Sequence, residues 1–316
     1  MPTRPIPQVL QEPVPGSTQD RLLHQFANGI AETVHFGTHI LHWSTLSSTG
    51  QAWETPLLLL FRHSLETLDA IGVLLRAGAV EPCKMLLRGL FESLLSSEYI
   101  LQTDSQRRAL CFLVGYLNWE VGMSERLNSA SSQGRRFRRK LNKDRILNGL
   151  RLPELAGESP RVLELERLLA QPLFEEVNRE FADLKRRTNR TPIWYSMFDG
   201  PRNLESLAAH VELPGLYEYL YRRWSGAVHG LEVFDGKLKG RDGIPYITQL
   251  RAIDNAQHVT LHTLWLQLQH FQSFVGTLLP ERLPELDLWF LKELQPLYHL
   301  LSGELMYSID EVYHTH

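Results

Sequence analysis

One stretch of the chain concentrates side chains suited to acid–base chemistry on a charged substrate. It runs Leu216, Tyr217, Glu218, Tyr219, Leu220, Tyr221, Arg222, Arg223, Trp224, Ser225, Gly226, Ala227, Val228, His229, Gly230. On a helix turning about 100° per residue, Arg222, Ser225 and His229 fall at i, i+3 and i+7 and share one face. Tyr221, four residues before Ser225, borders the same stripe, whereas Arg223 lies on a different face from His229 unless the helix frays at Gly226. The stripe therefore offers a cation, a hydroxyl and a titratable imidazole. An imidazole titrating near neutrality can remove the proton of a ribose 2′-hydroxyl. An arginine can hold the scissile phosphate and stabilise its developing charge. Such RNA cleavage requires neither a metal nor any other cofactor, and none is expected.

The elements that must position this stripe read as helices. Five prolines (Pro2, Pro5, Pro7, Pro13, Pro15) make residues 1–17 an extended arm, since proline lacks the amide donor of regular structure. From Thr18, Leu22, Phe26, Ile30, Val34 and Thr38 recur every four residues. Pro56 to Gly78 predicts a second helix. Glu81 to Thr103 predicts a third, with Pro82 where a missing N–H costs little, and Asp104 to Leu127 a fourth with Asp104 as N-cap. After a polar break at 129–134 and a basic cluster, Ser159-Pro160 opens an apolar-periodic run to about Lys185. Thr188 to Arg202 is a loop, Asn203 to His210 a short helix, and Leu213 to Val228 the helix of the stripe, with Gly230 as its left-handed stop. Residues 233–247 read as a loop or short hairpin, and two helices follow, Ile253–Leu279 and Leu286–Leu301. The expected architecture is all-α: one helical bundle over residues 18–316 with a Pro-rich N-terminal arm.

The bulk numbers narrow the function classes. The 316 residues are 43% apolar and 22% charged, ordinary for a folded protein that needs no staples. Cys83 and Cys111 are the only cysteines, which excludes a Cys-rich zinc module and favours buried free thiols. No apolar run approaches a membrane span and the N-terminus carries no basic-then-apolar signal pattern, so the cytoplasm is the expected compartment. The net charge of −3 is unevenly spread: Arg135, Arg136, Arg138, Arg139, Lys140, Lys143 and Arg145 fall within eleven residues with Asp144 as the only acid, and Lys185, Arg186, Arg187 and Arg190 form a second cluster. Such patches can attract a polyanion, and Phe137 within the first could stack on a base; an ordinary solvated helix face is the competing reading. Arg135, Arg136, Arg138, Arg139, Lys140, Lys143, Arg186 and Arg187 are the candidate nucleic-acid contacts. His35, His39 and His42 share a helix face that zinc could use, but Glu32 is the only carboxylate in register and no metal is assigned.

An arginine or lysine followed four to six residues later by histidine on a late helix resembles the signature of the HEPN (higher eukaryotes and prokaryotes nucleotide-binding) ribonucleases. Arg222 to His229 fits with six intervening residues and Arg223 to His229 with five. The chain more specifically resembles a bacterial family, domain-of-unknown-function family fifty-six seventy-seven. The early part of that pattern looks like Arg88-Gly89-Leu90-Phe91-Glu92 with Tyr99. The late part looks like Trp194-Tyr195, Leu204 to Leu207, Tyr217 to Tyr221, Ser225 and His229-Gly230. The likeness covers about residues 55–232. It implies a HEPN-like bundle and a metal-independent endoribonuclease, a toxin or anti-phage effector acting on RNA, transfer RNA among the candidates. In such enzymes the site often forms in a homodimer. HEPN motifs usually place a small polar residue just after the arginine, whereas here Arg223 follows Arg222 and Trp224 follows Arg223, so Arg222, Arg223 and Arg88 all stand as candidate partners of His229. Glu92, one helical turn from Arg88, can pair with it or orient His229.

Bland alternatives stand beside these readings. A histidine at a helix end can simply cap carbonyls, Ser225 can back-bond to a carbonyl one turn earlier, and Arg88–Glu92 can be an ordinary i, i+4 pair. The matching alternative function is a catalytically inactive helical module that binds a partner protein, in part through the N-terminal arm, or a nucleotide.

Overall fold

The computed structural model of the chain describes residues 4–7, 9–150, 160–228, 230, 238–241 and 244–306. Helix α1 (Thr18–Ser47) begins where the periodicity predicts, because the Ser17 side chain accepts from the Asp20 amide at 3.1 Å and Asp20 accepts from the Gly16 amide at 2.8 Å. Helices α2 (Glu54–Arg76) and α11 (Ala256–Leu278) pack against it, and α3 (Val80–Gln102) packs against those two. Their apolar faces supply Phe26, Ile30, Phe61, Ile71, Leu87, Phe91, Leu264, Phe271 and Phe274, all buried. Gly37 and Gly72 let α1 and α2 approach closely: a Cβ at Gly72 would sit 3.2 Å from Ile30, and one at Gly37 would collide with Leu65. Thr33, Ser44, Thr260 and Thr263 are buried without cost to satisfaction because each donates to a carbonyl one turn earlier.

The single bundle expected from the sequence is divided into two compact units, Met1–Thr103 with Ala208–His316, and Asp104–Leu207. Helical periodicity says which face of a helix is apolar but not what covers it. In the second unit α4 (Ser105–Leu127) is covered by segments that follow it. Leu110, Cys111 and Val114 meet Phe174, Val177, Phe181 and Met197. A Cβ at Gly115 would lie 2.9 Å from the Trp194 Cβ, so glycine sets that approach. Asp104 does not cap α4 through its side chain as predicted. It takes a left-handed backbone (φ 50°) and its carboxylate pairs with Arg107. The basic cluster forms helix α5 (Ser132–Leu141), capped by Ser131, which accepts from the Gly134 amide at 2.8 Å. The run expected from 160 to 185 is two helices, α6 (Pro160–Leu169) and α7 (Glu175–Thr188), broken by a 3₁₀ turn that starts at Pro172.

Helix α8 (Leu204–His210) starts where the Asn203 side chain accepts from the Ser206 amide at 2.8 Å, at the end of the second unit's stretch of chain, and its last residues belong to the first. Residues 214–228 then form one helical segment of three parts: α9 (Pro214–Leu216), a π turn (Tyr217–Tyr221) and α10 (Arg222–Val228). Gly230 follows with φ 69°, the left-handed stop the sequence predicts. Strands β1 (Leu238–Arg241) and β2 (Ile244–Ile247) form a short antiparallel hairpin with Leu238 opposite Ile247, within the stretch read as loop or hairpin. The last helix is likewise interrupted: α12 (Leu283–Trp289), a π turn (Phe290–Leu294) and α13 (Gln295–Ser302), with Pro296 removing an amide donor just after the widened turn. The described part of the N-terminal arm contains no helix or strand. It is fastened to the chain's own 249–251 segment: Leu250 N donates to Val9 O at 2.8 Å, Gln249 donates to Gln11, and Arg251 pairs with Glu12. Among the described residues no helix is long and apolar enough to cross a membrane.

Candidate functional site

The site is built where α3 meets the 214–228 segment. Arg88 and Glu92 stand one turn apart on α3, and Arg88 Nε donates to Glu92 Oε1 at 3.1 Å. Tyr221, the last residue of the π turn, donates its hydroxyl to the same oxygen at 2.7 Å. Arg88 Nη1 donates to Ser225 Oγ at 3.0 Å, and the guanidinium lies 4.9 Å from the centre of the Tyr221 ring. Four side chains from two helices thus close a circuit in which Arg88 uses its fork twice and its face once. Tyr221 is further fixed by a stacked contact with Tyr217 (5.1 Å) and a tilted one with Phe91 (5.6 Å).

The electrostatics follow from this geometry. Burial, then the bond to Glu92, pushes the Tyr221 hydroxyl above its ordinary range, while Arg88 pulls the other way; Tyr221 is therefore a donor rather than a base at neutral pH. Burial disfavours the Arg88 charge, but Glu92 and Tyr221 together outweigh it and raise its pKa. The circuit is not sealed from water: the Arg88 and Glu92 side chains are 25% and 44% exposed. Ser225 accepts from Arg88, and no described residue accepts the proton of its hydroxyl. Glu92 Oε2 likewise has no partner among them.

The segment is not uniformly α-helical, because a π turn precedes α10. The wider coil of this turn, closed by the Arg222 amide donating to the Tyr217 carbonyl, shifts the register ahead of α10. Arg222 lies on the exposed side, paired with Glu218 at 3.2 Å, with its guanidinium 5.8 Å from the Tyr217 ring centre. Arg223 is exposed and close enough to His262 to disfavour its protonation. Of the seven residues predicted for chemistry, Arg88, Glu92, Tyr221 and Ser225 come together, while Arg222 and Arg223 do not join them. His229 lies outside the described residues. Ser225 is not back-bonded to a carbonyl among them; it answers Arg88 instead.

The basic clusters separate in the same way. On α5, Arg135, Arg136, Arg139 and Lys140 are exposed, as is Lys143 just beyond it, and none forms an ion pair with a described residue. Arg138 is half-buried, with Nη2 3.4 Å from the Leu127 carbonyl. On α7, Arg186 pairs with Asp183 and Arg187 lies 3.5 Å from Glu180, so these two of the four cations are met by acids of their own helix.

His258 and His262, an i, i+4 pair that lacks a third metal ligand in the sequence, lie in an aromatic cluster around His262. Tyr219, Trp224, His258 and Trp265 all place rings within 6.4 Å of it. Burial, His258 and Arg223 push its pKa down to about 4, so the ring is neutral at physiological pH. The i, i+4 spacing of His258 and His262 is visible in the sequence; the aromatic walls brought by the π turn are not. Among the described residues no three His, Cys, Asp or Glu side chains gather as a metal site.

Fold and site together define a helical protein organised around a polar Arg–Glu–Tyr–Ser circuit between two helices. Residues 54–243 match the model of a family of unknown function (DUF5677), and the chain belongs to that family. The matched span contains all four residues of the circuit. Comparison with curated proteins and with solved structures returns no match.

Proposed function

We propose that this chain is a HEPN-like, metal-independent endoribonuclease, a toxin or anti-phage effector that acts on RNA, transfer RNA among its candidate substrates, as a homodimer. The observation that carries the reading is the Arg88–Glu92–Tyr221–Ser225 circuit, which ends four residues before His229 in the sequence. In the proposed reaction His229 takes the proton of a ribose 2′-hydroxyl, and the 2′-oxygen attacks the adjacent phosphorus. The bond to the 5′-oxygen breaks, leaving a 2′,3′-cyclic phosphate and a 5′-hydroxyl that takes up a proton. Arg88, held in orientation by Glu92, and the Ser225 hydroxyl supply positive charge and a donor for the non-bridging oxygens. The partial exposure of Arg88 and Glu92 favours this reading, because a purely structural network would be closed to a phosphate. The exposed cations of α5 supply the long-range attraction for a polyanion.

The second reading, an inactive helical module that binds a partner protein or nucleotide, draws on the mutual satisfaction of the four groups. Expression of wild type and His229→Ala in cells separates the two. The ribonuclease reading expects growth arrest and RNA fragments ending in 2′,3′-cyclic phosphate from wild type alone; equal toxicity of the two proteins removes its main support.

A further inference from the structure

Helix α4 buries Leu110, Cys111, Val114 and Leu117 within the second unit, and its opposite side is unusual. Tyr116, Trp119, Met123 and Leu127 recur there at i, i+3, i+7 and i+11, so they form one stripe, and all four are exposed. Tyr116 and Trp119 are 47% and 55% exposed, and their rings lie 6.3 Å apart at an interplanar angle of 28°. Two exposed aromatic rings in contact on one helix face are a candidate interaction surface. The chain then turns tightly into α5, which is held against the end of the stripe. Ser131 donates to the Glu125 carbonyl at 2.8 Å, Gln133 to the Glu125 carboxylate at 2.7 Å, and Arg138 to the Leu127 carbonyl at 3.4 Å. Among the described residues none of the exposed α5 cations forms an ion pair, whereas Arg186 and Arg187 on α7 pair along their own helix.

We propose that this face is a binding surface for single-stranded RNA, with Tyr116 and Trp119 as a base-stacking platform and Arg135, Arg136, Arg139 and Lys140 as its phosphate contacts. The choice of RNA rests on the ribonuclease reading; the choice of a single strand rests on the surface. Only an unpaired strand offers free base faces and phosphates together, which is what two exposed stacked rings on α4 and the exposed cations of the helix that follows it match. A duplex hides its bases, and an acidic protein would use the cations but not the stacked rings.

The test uses the full-length His229→Ala protein, so that binding is read without cleavage. Anisotropy of a fluorescein-labelled oligouridylate is compared with a duplex RNA of equal length and with phosphatidylserine vesicles. The single strand is expected to bind more tightly than the duplex, Trp119→Ala to weaken it about tenfold and Trp119→Phe to retain most of the affinity. Arg136→Glu with Lys140→Glu should also flatten the salt dependence, by about one unit of slope for each phosphate no longer neutralised. Equal binding of duplex and single strand, or unchanged affinity in Trp119→Ala, overturns the platform. Binding to vesicles without binding to RNA overturns it in favour of a membrane surface, and binding to neither probe overturns it outright. A chain that binds the oligouridylate through Trp119 yet cleaves no RNA as wild type contradicts the ribonuclease reading and leaves this inference standing.

Discussion

Arg88 on α3 reaches Ser225 on α10 at 3.0 Å, joining positions 137 residues apart, and the same guanidinium donates to Glu92 at 3.1 Å. A planar fork can serve both acceptors at once, whereas an ammonium cannot reproduce that geometry. A double-mutant cycle of Arg88→Met and Ser225→Ala, followed by urea unfolding, should give a coupling of about 1–2 kcal/mol. Arg88→Lys should lose most of that coupling despite keeping the charge. Additive effects of the two substitutions would mean that the contact does not contribute.

Tyr221→Phe keeps the ring over Arg88 and the stack on Tyr217 but deletes the donor to Glu92. A hydrogen bond to a carboxylate is worth about 1.5–3 kcal/mol when its partner stays buried, and the exposure of Glu92 places this one near the lower end. The urea midpoint should fall accordingly, with the m-value unchanged. An unaltered midpoint would show that water replaces the hydroxyl at no cost.

Much of this architecture is legible in the sequence, for identifiable reasons. The starts of α1 and α8 follow from Ser17 and Asn203, whose side chains accept the first free amides, and the stop after α10 follows from Gly230. The Arg88–Glu92 pair follows from i, i+4 spacing. The π turn at 217–221 is not legible, because Tyr-Glu-Tyr-Leu-Tyr contains no Gly or Pro to mark a break in the helix. Nor does periodicity reveal that the α4 face is filled from residues 174–197, which is what separates the second unit.

Two histidines should give the fold a marked acid sensitivity. Burial holds His270 down to about 3, and neither ring nitrogen has a hydrogen-bond partner among the described residues. His262 is held at about 4 by burial, His258 and Arg223. An unfolded imidazole takes up its proton near 6.5. Below that pH the unfolded chain therefore binds more protons than the folded one. The stability these neutral rings confer is full above 6.5 and declines as pH falls through about 4 for His262 and about 3 for His270. Urea midpoints measured across that interval should drop with pH, and His270→Leu should drop less steeply. Parallel slopes for the two proteins would contradict the assignment to His270.

Cys83 and Cys111 are buried, and burial pushes both thiols up to about 12. Thiolate is the reactive form, so both should resist a disulfide reagent in the folded chain and react together on unfolding. Rapid labelling of either in native buffer would place it at the surface.

The central claim is that the circuit around Arg88 serves RNA cleavage with His229. The most direct measurement is incubation of purified protein with total RNA, and separately with transfer RNA, in the presence of EDTA. Wild type, Arg222→Ala, Arg88→Ala and His229→Ala are compared. Arg222 pairs with Glu218 on the exposed side, so its loss should leave most of the activity. Loss of Arg88 should reduce cleavage by about a hundredfold or more, the scale for removing one transition-state donor, and loss of His229 should abolish it. Cleavage that survives in both Arg88→Ala and His229→Ala, or that is absent from wild type on both RNAs, contradicts the account.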